Sequence, residues 1–133
     1  MKLTIAYKEI EEKVKDLTKV GLLVSKDSEK TLKLKYNAGI PFLPNVEALL
    51  KVTNVYSDKI ELTYSCKPLM EIAIEKLLPK LISSLPENVI EIDGKVIAVN
   101  LYKIDKLEQT LEHLALSDIV INDEVIEIIA KIK

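Results

Sequence analysis

Residues 68–85, PLMEIAIEKLLPKLISSL, carry the most apolar helical pattern in the chain and limit what the remainder can be. At about 100° per residue, Met70, Ile74, Leu77, Leu78, Leu81, Ile82 and Leu85 fall on one arc. Glu71, Glu75, Lys76, Lys80, Ser83 and Ser84 fall on the opposite side. So wide an apolar face has to lie on a sheet or on another apolar surface. Pro68 suits the first turn, where an amide has no intrahelical partner, and Pro79 falls on the polar side.

The flanking segments read mostly as strands. After a short extended stretch at 2–6, Tyr7, Ile10, Val14 and Leu17 recur at three- and four-residue steps, an amphipathic helix that Gly21 should stop. Leu32, Leu34 and Tyr36 alternate with Lys33, Lys35 and Asn37, the pattern of a half-buried strand. Gly39, Pro41 and Pro44 mark a loop over 37–45, made apolar by Ile40, Phe42 and Leu43. Residues 46–56 and 60–66 form a hairpin turned by Ser57-Asp58-Lys59, with Ile60, Leu62, Tyr64 and Cys66 facing inward. Asp93-Gly94 predicts a type I′ hairpin joining 89–92 to 95–101. Asp105 and Glu108 suggest a capping box for a short helix bearing Ile104, Leu107, Leu111 and Leu114. A last hairpin joins 116–121 to 125–132 through Asn122-Asp123-Glu124. Hairpins imply antiparallel pairing, and interleaved helices imply that one sheet face is covered, so the fold class is α+β.

This order contains no linker, and 133 residues suit one domain over 1–133. Hydrophobic residues are 48% of the chain, but aromatics are 5% and Trp is absent, so the interior is built from Leu, Ile and Val. Charged residues at 30%, with no long apolar run, argue for a soluble protein without a transmembrane segment. A net charge of −2 and the absence of arginine from 19 basic residues disfavour nucleic acid as a partner. A single Cys66 permits no internal disulfide, and the first residues lack the apolar core of a signal peptide, which together suggest the cytoplasm.

Chemistry is hard to place. Cys66 and His113 are the only Cys and His; a Cys nucleophile needs an activated thiolate and a nearby base, whereas Cys66 reads as a buried core residue and His113 as partly exposed. One His and one Cys do not make a zinc site, Asn122-Asp123-Glu124 lacks the spacing of a calcium loop, and Glu91 with Asp93 reads as two solvent-facing acids. Gly21, Gly39 and Gly94 belong to no phosphate-binding loop. No catalytic residue, metal or cofactor is assigned. What remains is aliphatic surface, which either packs on itself or leaves a groove between helix and sheet.

The segments KPLMEIAIEKLLPKLISSLPENV and IDKLEQTLEHLALSDIVI, with the opening TIAYKEIEEKVKDL, resemble modules of the tubular lipid-binding (TULIP-like) superfamily, in particular its small single-module bacterial relatives. The resemblance implies a long curved antiparallel sheet wrapped around the central helix, with an apolar seam able to hold lipid. By position that seam comprises Met70, Ile74, Leu77, Leu81 and Leu85 on the helix, faced by Ile60, Leu62, Ile97, Val99 and Leu101 from strands. The expectation is a non-enzymatic protein that binds a lipid or acyl chain in this groove. The alternative is a structural or interaction module that buries the same surface by homodimerisation, without ligand.

Overall fold

The computed structural model describes residues 1–37, 45–85, 88–103 and 112–133. The chain runs β1 (Lys2–Ala6), α1 (Tyr7–Thr18), β2 (Leu22–Ser28), β3 (Thr31–Tyr36), β4 (Val46–Val55), β5 (Lys59–Ser65), α2 (Pro68–Ser83), β6 (Ile90–Asp93), β7 (Val96–Asn100), a 3-10 turn (Leu101–Lys103), β8 (Leu114–Ile121) and β9 (Val125–Ile132). The alternation that predicts strands at 31–36, 46–56 and 60–66 is realised in β3, β4 and β5. The hairpin expected at Asp93-Gly94 forms, but not with a type I′ turn: Asp93 pairs with Val96 as the last residue of β6, the turn is Gly94-Lys95, and only Gly94, at φ 62°, is left-handed where type I′ requires two such residues.

The strands form two antiparallel sheets. Six lie in the order β2-β3-β4-β5-β7-β6 and three in the order β1-β9-β8. In the larger sheet, cross-strand pairs such as Leu32 with Leu50, Leu62 with Ile97, and Ile60 with Val99 stack aliphatic side chains on one face. A bulge between Val52 and Asn54 keeps the face continuous: Val52 opposes Leu62 and, one extra residue later, Val55 opposes Ile60. Asn54 is thereby free to donate from its amide to Glu61 Oε1 at 3.1 Å. In the smaller sheet, β1 pairs with β9, placing Ile5 opposite Ile126, and Ile119 of β8 lies opposite Ile128.

Polar contacts fasten one sheet to the other. The Leu116 amide donates to the Ser57 carbonyl at 2.9 Å. From the β2–β3 turn, Lys30 Nζ reaches Asp118 Oδ1 at 2.8 Å and also donates to the Ile119 carbonyl. Tyr7 opens α1 with its amide on the Glu124 carbonyl at 3.0 Å and its hydroxyl on the Asn122 carbonyl. Along α1, Glu11 Oε2 accepts the Val24 amide at 2.8 Å, occupying a donor on the edge strand β2.

This architecture corrects the expected wrap. Among the described residues no long apolar helix is enclosed by one curved sheet: α1 has 12 residues, α2 has 16, and the strands divide between two sheets. Local periodicity predicts hairpins but not which hairpins join, and the division follows from β1 pairing with β9 instead of with its sequence neighbours. Gly21 is not the stop of α1. Lys19 ends it in the left-handed region at φ 62°, donating its amide to the Lys15 carbonyl at 2.8 Å. Leu114, expected at the end of a helix, is the first residue of β8. The remainder of that expected helix (104–111) and the apolar segment Ile40-Pro41-Phe42-Leu43-Pro44 lie outside the described residues.

Candidate functional site

Between the two sheets and the two helices lies a cavity of about 450 Å³. Its wall follows from strand phase. Alternate residues of β2 to β5 point into it, among them Leu22, Val24, Leu34, Leu50 and Leu62, while intervening residues such as Leu23, Lys35 and Lys51 face out. From the smaller sheet come Ile5, Ile119, Ile121, Ile126 and Ile128; α1 contributes Ile10 and Val14. No polar atom is exposed on the wall.

Eight of the ten residues expected at the seam line this cavity: Ile74, Leu77 and Leu81 from α2, Ile60 and Leu62 from β5, Ile97 and Val99 from β7, and Leu101 just beyond. The other two stand elsewhere. Leu85 lines an open groove between α1 and α2 that also has Ile5, Glu9, Ile10, Lys13, Val14, Leu17 and Leu81 on its walls. Met70 lines neither concavity, and its Sδ lies 3.5 Å from the Glu47 amide. The contributions of β1, α1, β8 and β9 were missed, although their apolar phasing is visible, because their proximity to α2 depends on the pairing of β1 with β9.

Tyr36, Cys66, Glu71 and Lys95 lie near enough to influence one another electrostatically. Tyr36, only 5% exposed, is part of the cavity wall, and among the described residues its hydroxyl has no hydrogen-bond partner. Burial, and secondarily the nearby Cys66, push its pKa up to about 12. Burial also raises the Cys66 thiol, with the Glu71 carboxylate acting in the same direction and Lys95 opposing. A thiol so placed is held protonated, the reverse of an activated nucleophile. Lys95 meets Glu71 at 2.7 Å, joining the β6–β7 turn to the first turn of α2, and that hydrogen bond raises the ammonium pKa.

The other reactive candidates have structural partners or face solvent. Glu91 accepts from the Asn100 side-chain amide at 3.1 Å, and His113 is exposed. The Asn122-Asp123-Glu124 turn anchors Tyr7. Among the described residues, no three His, Cys, Asp or Glu side chains gather as a metal site would need, and no helix is long and apolar enough to cross a membrane. Comparison with protein-family models, with curated proteins and with solved structures returns no match for this chain.

Proposed function

We propose that this protein binds a hydrophobic ligand, a lipid or acyl chain, in the cavity between its sheets and helices, and does so without catalysing a reaction on it. The observation that carries the reading is a cavity of about 450 Å³ with a wholly apolar wall. Packed interiors hold few voids larger than a water molecule. Water gains little there, since apolar cavities stay dry. An engineered apolar cavity of roughly 150 Å³ holds benzene, so three times that volume suits about 18 carbon atoms.

The alternative of burial by homodimerisation is less well supported, because the side chains in question face inward between two sheets. The likeness to tubular lipid-binding modules rests on the apolar seam of α2 and the strands facing it; the arrangement of the sheets is this chain's own.

Native mass spectrometry of the purified protein titrated with palmitate tests the reading, with Leu62→Trp as the companion variant. The expected result is a one-to-one adduct for the parent chain and its loss in Leu62→Trp, which fills the cavity while remaining folded by circular dichroism. Failure of the parent to take up palmitate or any co-purifying lipid, together with a mass of twice the monomer, would transfer support to the dimer.

A further inference from the structure

Resting on the ligand-binding reading above, we propose that the cavity is entered through the gap between α1 and α2, and that its ligand is a single-chain amphiphile with an anionic head. The chain lies inside, and the head stays outside at Lys13. Three observations converge. First, the cavity wall exposes no polar atom, so a carboxylate carried inside would lose its hydration with nothing to replace it. The charged end therefore has to remain at a rim.

Second, the cavity and the α1–α2 groove share Ile5, Ile10, Val14 and Leu81, so the two spaces adjoin across these four side chains. These four aliphatic side chains form the boundary between groove and interior that an alkyl chain has to pass. Third, the residues lining the cavity include no Lys, Asp or Glu, whereas the groove beyond this neck is lined by two charged residues, Glu9 and Lys13. They sit one turn apart on the same face of α1. Glu9 Oε1 already accepts the Ala6 amide at 3.4 Å at the positive end of the helix. Lys13 lies beyond the first turn, and among the described residues no carboxylate pairs with it. Its methylene stem can lie along Leu17 and Val14 while the ammonium stays in water at the lip, the usual compromise of a lysine beside apolar surface. A carboxylate head complements that cation, and the interior volume of about 450 Å³ takes an alkyl chain of roughly 16 to 18 carbons.

The test uses the full chain and two photoreactive palmitic acids, one bearing a diazirine near the carboxylate and one bearing it at the methyl end. After irradiation and digestion, the carboxyl-end probe is expected on peptides covering 9–17 and 81–85, and the methyl-end probe on β4, β5 and β7. The reverse pattern, or both probes on the same peptides, overturns the orientation. In parallel, Lys13→Met is expected to weaken palmitate binding by about threefold to fivefold, the range of an exposed ion pair, and to leave 1-hexadecanol within about twofold. An unchanged palmitate affinity, or an equal loss for the alcohol, overturns the head contact. Absence of labelling by both probes in a protein that binds neither palmitate nor hexadecanol defeats the underlying ligand-binding reading instead.

Discussion

Tyr36→Phe offers the most direct test of the interior. The Tyr36 hydroxyl is buried without a hydrogen-bond partner among the described residues, so the folded chain carries a desolvated polar group that the unfolded chain hydrates. Removing a group of this kind recovers part of a penalty of about 1 to 3 kcal/mol. We expect a gain of about 1 kcal/mol at neutral pH, a rise of roughly 4 °C in Tm for a chain of this length. Alkaline titration gives an independent check. Burial holds the phenol at a pKa of about 12 against an ordinary 10.0, so between those values the unfolded state releases a proton that the folded state keeps. The unfolded state then binds fewer protons, stability falls as pH rises, and the phenol removes roughly 2 to 3 kcal/mol across the window. Tyr36→Phe abolishes that loss, while the titration of the lysines is common to both proteins and cancels in the difference. Urea unfolding of both at pH 7, 10 and 12 reads the effect. A lower Tm in the variant would show that the hydroxyl has a partner, and parallel declines above pH 10 would show that it is hydrated in the folded state; either result refutes the reasoning.

Two further substitutions address how the elements are joined. Lys19 ends α1 at φ 62°, where a side chain is strained and glycine is not; Lys19→Gly should raise stability by about 0.5 to 1 kcal/mol, and a fall in the urea midpoint would contradict this. Lys30 links the β2–β3 turn to β8, and its ammonium and the Ile119 amide hold the Asp118 carboxyl below the usual carboxylate range. The stability this provides is present above the unfolded carboxylate pKa and disappears as pH falls through the lowered one. Lys30→Met should therefore cost about 1 kcal/mol or less at pH 7, discounted because the pair is exposed, and the gap from the parent protein should narrow at pH 2 to 3 in the same assay. A gap that persists in acid would assign the effect to the Ile119 carbonyl contact.

What was legible in the chain was local. The inward phase of Ile60, Leu62 and Tyr64, the hairpin that joins β6 to β7 and the apolar face of α2 each depend on residues a few positions apart, and the structure realises them. What was not legible depends on long-range closure. Ile5 meets Ile126 because the first strand pairs with the last, and no periodicity announces a partner that distant. The bulge at Val52/Asn54 and the left-handed Lys19 are equally silent, since each is a backbone choice made under packing by residues that do not demand it. These missing links converted an expected wrapped helix into two sheets with a cavity between them.

The distinction between core and cavity wall is the subtler failure, and α2 shows why. Its apolar stripe is continuous in sequence from Met70 to Leu85, yet its burial is uneven. Ala73 is 2% exposed and Ile74 6%, whereas Leu77, Leu78, Leu81 and Ile82 are only half-buried although they point inward. The first half of the helix seals, with small Ala73 allowing close approach; the second half stands over open volume. A hydrophobic pattern records that a side chain avoids water and says nothing about whether protein or ligand replaces it. Composition carries the remaining clue. Aromatic side chains bury roughly 150 to 250 Å² each and readily span such a gap. Here Tyr36 and Tyr64 are the aromatic members of the cavity wall, and the rest is almost entirely Leu, Ile and Val, side chains too short to meet across it. An aliphatic interior with no Trp and one Phe fits the proposal of a ligand in this space, and Leu62→Trp, by supplying the missing bulk, tests it.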